Sequence, residues 1–109
     1  MTYKEIYDAL AETNLPVVYH HWEKGQVPDL PYIVFTYPNN NDFMADDKNY
    51  VEIVEVNVEL YAKNKDIALE HTVEGVLGKY FQYNKSSVWI EDEQMYETIY
   101  QTEVIINGE

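Results

Sequence analysis

The groups from which a reaction centre could be built are three histidines, twenty acidic side chains and two serines, with no cysteine to supply a thiolate. His20 and His21 adjoin Trp22 and suggest a metal. On a strand, however, adjacent side chains point to opposite faces, so this pair does not chelate one ion, and His71 stands alone. Asp42, Asp46 and Asp47 match a calcium loop in residue type only. The alternating oxygen ligands, pivot glycine and distal bidentate glutamate of that loop are missing. Ser86 and Ser87 lie in no G-x-S-x-G setting, and no glycine-rich loop is present to cradle phosphate. In so acidic a chain a pair of carboxylates carries no information about acid–base chemistry. The expectation is a protein without catalytic, cofactor or metal site.

The chain is organised around Val51–Asn64. Val54, Val56, Val58, Leu60 and Ala62 share one parity, while Glu55, Asn57, Glu59 and Tyr61 share the other. Period-two alternation of this length is a half-buried strand, apolar inward. Before it, Thr2 and Glu5 form a capping box for a helix over residues 3–12, ended by Asn14 and Pro16. Val17–Trp22 and Tyr32–Tyr37 read as strands, expected antiparallel, around a Gly/Pro loop. Pro38–Tyr50 reads as a long polar loop with an apolar tip, Phe43 and Met44. Connections of that length are commonly functional or mobile. Asn41, Asp42, Phe43, Met44, Asp46 and Asp47 are therefore the expected partner-binding residues.

A second helix is expected over Ile67–Phe81, with Leu69, Val73, Val76, Leu77 and Tyr80 as its core stripe. Its outward line, Ile67, His71, Gly75 and Gly78, is small and mostly neutral, with Glu70 and Glu74 as a charged rim. Such a stripe lets another subunit approach closely, so these four residues are the expected self-association surface. Val88–Glu91 and Met95–Asn107 read as a closing hairpin. Tyr96, Thr98, Tyr100, Thr102, Val104 and Ile106 share one of its faces. This order gives one domain over residues 1–109, of α+β class. Its antiparallel or mixed sheet has about five strands, with two helices packed on one face.

The charge restricts partners. Seven lysines, no arginine and twenty acids give a net charge of −13. Phosphate backbones are held by Lys and Arg displacing counterions, so direct nucleic-acid or anionic-membrane binding is not expected. The N-terminus lacks the pattern of a signal peptide, and no apolar run reaches the roughly 18 residues of a membrane span.

A short N-terminal helix, LPVVYHHWEKGQVPDLPYIVFTYP, the polar loop and NVELYAKNKDIALEHTVEGVL follow one another here. In that order and texture the chain resembles the tail-completion or tail-terminator proteins of long-tailed bacteriophages. The resemblance implies a structural role in head–tail joining: a ring, usually a hexamer, that caps the tail tube and docks on the head connector. It implies tail-tube and head-connector proteins as partners. It also places the protein in the virion at the head–tail junction, and in the host cytoplasm during assembly. It implies no catalytic residues. The alternative that the acidity supports is a DNA-mimic decoy that inhibits a nucleic-acid-binding protein.

Overall fold

The computed structural model describes residues 1–108, with the side chains of Asn49 and Tyr50 excepted. Helix α1 (Tyr3–Ala11) starts at the capping box: Thr2 Oγ1 accepts from the Glu5 amide at 3.1 Å, and Glu5 Oε1 from the Thr2 amide at 2.8 Å. Asn14, at φ 63°, turns the chain out of the helix, a conformation its short polar side chain tolerates. Strands β1 (Val17–Tyr19), β2 (Tyr32–Thr36), β3 (Phe43–Ala45) and β4 (Lys48–Ala62) follow. Then come α2 (Ile67–Leu77), β5 (Asn84–Ile90) and β6 (Met95–Ile106).

The fold is α+β. The sheet has the order β1-β2-β4-β6-β5, with β3 paired to the other end of β4. All pairings are antiparallel except β1–β2, which is parallel. The expected antiparallel relation of β1 and β2 is thus corrected. Parallel neighbours need a connection of about a dozen residues or more, and His20–Pro31 is long enough to carry the chain back. That segment covers part of the sheet's second face. Trp22 packs edge-on against Tyr32 at 5.6 Å, and Tyr32 and Val34 are buried although they point away from the helices.

The alternation in β4 sets the core. Val54, Val56, Val58 and Leu60 are each no more than 1% exposed. They join Ile33, Phe35, Tyr100, Val104 and Ile106 beneath Ile6 and Leu10 of α1 and Val73 and Leu77 of α2. Both helices therefore lie on one face. Helix α2 stops at Leu77 with Gly78 as its C-cap, short of the expected Phe81. Phe81 rather than Tyr80 enters the core, and Tyr80 is 42% exposed. Strand β5 begins at Asn84, earlier than expected, because Asn84–Ser87 is the polar part of an exposed edge strand.

The molecule is elongated, 49 × 30 × 23 Å, with a radius of gyration of 15.0 Å. A compact chain of this length has about 13 Å. At about 3.3 Å per residue, the 15-residue β4 alone is about as long as the molecule's longest dimension.

Candidate functional site

The segment expected as a loose loop is a β-arm. After Tyr37 the chain runs beside β4. The Glu55 amide donates to Asn39 O and the Asn41 amide to Ile53 O, both at 2.8 Å, and Asn40 bridges Val54. Asp42 Oδ1 accepts from the Ile53 amide at 3.0 Å. A register shift between Phe43 and Met44 precedes the last pair, Ala45 with Lys48. Asp46 and Asp47, at φ 52° and 61°, form the two-residue connection. Positive φ at both positions is the mark of a type I′ turn, whose twist suits a hairpin. The N-terminal half of β4 needs a partner for its backbone groups, and this requirement overrides the low strand propensity of Asn and Asp. Asn41, Asp42, Phe43, Met44, Asp46 and Asp47 all lie on the arm. Phe43 and Met44 are 57% and 62% exposed, two large apolar side chains close to its tip.

On α2, Ile67, His71, Gly75 and Gly78 are all exposed. A Cβ on Gly75 would meet no atom within 4 Å, whereas one on Gly78 would lie 3.2 Å from Glu74 O. Glu70 and Glu74 are not a solvent rim. They face the β6–β5 side of the sheet, where Glu70, 3% exposed, binds Lys65 at 2.9 Å and Lys85 at 2.7 Å. Glu74 binds Lys85 at 2.7 Å and accepts from Tyr100 Oη at 2.8 Å. Burial pushes both carboxyls up most strongly, yet the contacts with Lys85, with Lys65 for Glu70 and with Tyr100 for Glu74 hold both below the usual range. Burial and the Glu74 hydrogen bond raise the Tyr100 phenol. Hydrophobic periodicity alone did not reveal this network. The available signal was two lysines, Lys65 and Lys85, flanking the helix in sequence.

The sheet face away from the helices carries carboxylates. Glu55 lies directly across from Glu103, and Glu59 and Glu97 share the Tyr61 hydroxyl, which donates to Glu97 at 2.6 Å. Desolvation, and secondly Glu97, raises the Glu59 carboxyl. Asn57, Gln101 and Asn84 form a cross-strand amide row beside Glu55 and Glu103, in an open groove of about 650 Å³.

His20 lies outside β1, at φ 70°, and the His21 amide donates to Tyr19 O at 2.8 Å across it. The expected strand geometry therefore does not hold: the two imidazoles meet, Nδ1 to Nδ1, at 2.9 Å. Both are exposed, and the described residues contain no group of three His, Cys, Asp or Glu suited to a metal. Ser87 Oγ lies 3.4 Å from Thr98 Oγ1 and from Lys65 Nζ, and no histidine is paired with it among the described residues. No helix of the described residues is long and apolar enough to cross a membrane. No protein-family model and no curated protein matches this chain.

Proposed function

We propose that the chain is a structural protein of a long-tailed bacteriophage. In this reading its copies form a ring that caps the tail tube, ends tube growth and joins it to the head connector. The observation that carries this reading is the β-arm, a two-stranded extension of the sheet along β4 with Phe43 and Met44 exposed near its end. A two-stranded arm presents these side chains to a partner at lower ordering cost than a flexible loop. An aromatic anchor buried at a protein–protein contact contributes roughly 2 kcal/mol or more. The −13 charge and absence of arginine suit a ring through which DNA passes without adhering. The tail-tube and head-connector proteins are the partners, the virion head–tail junction is the location, and assembly takes place in the host cytoplasm.

The test is Phe43→Ser with Met44→Ser. Both side chains are exposed, so the melting temperature should stay near the parent's while tail tubes grow abnormally long. Tubes of normal length made with the folded double variant would refute the reading. The exposed α2 line of Ile67, His71, Gly75 and Gly78 is proposed as a second contact surface between copies. Gly75→Lys leaves the fold intact and reduces ring yield.

One observation favours the DNA-mimic alternative. Glu55 and Glu103 are directly opposed, and Glu59 and Glu97 lie farther along the same open face. A decoy would bind a basic nucleic-acid-binding protein with steep salt dependence.

A further inference from the structure

The main path of the sheet ends in two edge strands, β1 and β5, which are matched to each other, while the short β3, paired only to β4, leaves a third edge on the arm. Following the registers across the sheet, Val17 aligns with Ile33, Leu60, Thr98 and Ser87, while Tyr19 aligns with Phe35, Val58, Tyr100 and Lys85. Both edges therefore lie at the same level. β1 is parallel to β2, and the remaining steps to β5 are each antiparallel, so β1 and β5 run in opposite directions.

The hydrogen-bonding phase also agrees. The Ile33 amide donates to Pro16 O and the His20 amide to Phe35 O, so Val18 faces β2, and Val17 and Tyr19 turn their peptide groups outward. At the other side Met1 bonds to Ile105 O and to the Asn107 amide, which fixes odd-numbered β6 residues as facing away from β4. Two-residue periodicity then turns Ser86 toward β6 and Lys85 and Ser87 outward.

Charge also favours these two edges. Thr13–Trp22 and Lys79–Ile90 contain no Asp or Glu in a chain of net charge −13. Two such copies repel least where these segments meet. Strand β1 is short, three residues directly after Pro16, which limits the contact to two hydrogen-bonded pairs, whereas β5 is not blunted in the usual ways. Strand β5 contains no proline and no bulge, and its one lysine is held by Glu70 and Glu74. Tyr19, Val88 and Trp89 are exposed along the two edges.

We infer that β1 of one copy adds to β5 of the next, extending one continuous antiparallel sheet through neighbouring subunits. With no stagger, Tyr19 pairs with Lys85 and Val17 with Ser87, and Leu15 comes beside Trp89. The contact joins different surfaces of the two copies, so it is heterologous, the class that closes rings or grows filaments. It rests on the self-association in the proposed function and not on the identity of the tail partners.

The chain's lack of cysteine makes cross-linking clean. Val18 and Ser86 would form a non-hydrogen-bonded pair with Cα atoms about 4.5 Å apart, within the ~4.4–6.8 Å span of a disulfide. Mixing Val18→Cys with Ser86→Cys under mild oxidation should give roughly tenfold more mixed dimer than either variant alone, because only the mixed pair holds its thiols in register. The double variant in one chain should give a ladder of multimers. Val18→Cys mixed with Ser87→Cys, one residue out of phase, should cross-link poorly. Pro16→Cys with Val88→Cys tests the same register should Val18→Cys fail to fold. Dimers from Ser86→Cys alone, or no mixed dimer from either in-phase pair, would overturn the inference. Tail-length measurements separate the two proposals. Missing cross-links with normal capping refute only the edge pairing, and cross-links without capping refute only the tail role.

Discussion

The Lys65–Glu70–Lys85–Glu74 network makes an asymmetric prediction about stability. The Glu70 side chain is 4% exposed, while those of Lys65 and Lys85 are 38% and 32% exposed. Replacing both lysines by methionine leaves Glu70 buried without a cation. Such an orphaned charge costs about 3–5 kcal/mol, a large part of the ~5–15 kcal/mol that holds a domain together. Glu70→Leu instead leaves two lysines that can turn to water, and Lys85 still has Glu74. Its expected cost is on the order of 1 kcal/mol. Urea titrations of the three proteins at pH 7, with unchanged slope, read the difference directly. The sign with pH follows from the depressed Glu70 and Glu74 carboxyls. A carboxyl lowered in the folded state stabilises above its unfolded value of about 4.3, and that contribution disappears as pH falls through the folded value. In the double-methionine variant Glu70 instead becomes neutral on acidification, so the gap to the parent closes toward pH 3. A double-methionine variant no less stable than Glu70→Leu, or a gap that stays constant with pH, would refute the assignment.

Val58, 1% exposed beneath both helices, should not tolerate a charge. Val58→Asp should lower the melting temperature by roughly 10 °C or more, since a buried unpaired carboxylate costs several kcal/mol. The Glu59 carboxyl is raised by burial and by Glu97, so its charged form destabilises the fold above the folded value and has no effect below the unfolded one. Glu59→Gln should therefore raise the melting temperature at pH 7 and lose that advantage below about pH 4. Titration with duplex DNA at low ionic strength, where attraction is least screened, should show no binding. Salt-sensitive binding would undo the charge argument.

Much of the scaffold was legible because single-strand patterns carried it. The parity of Val54–Ala62 and of Tyr96–Ile106 fixed which faces are buried, and Thr2, Glu5 and Asn14 marked the ends of α1. The misread parts depend on partners distant in sequence. Asn39–Asp47 has loop composition, yet it lies along β4 because the far half of that strand would otherwise leave its backbone unpaired. Glu70 borders the core stripe beside Leu77, seven residues on at about 3.6 per turn, so its charge and not its position made it read as rim, and contact with Lys65 and Lys85 is what satisfies it there. Val17–Tyr19 carries no mark of direction. Its parallel pairing depends on where His20–Pro31 returns the chain. The same difficulty hides the candidate interfaces. An exposed edge such as Asn84–Ile90 and a buried polar segment look alike in composition, and only the completed sheet shows that β1 and β5 end its main path.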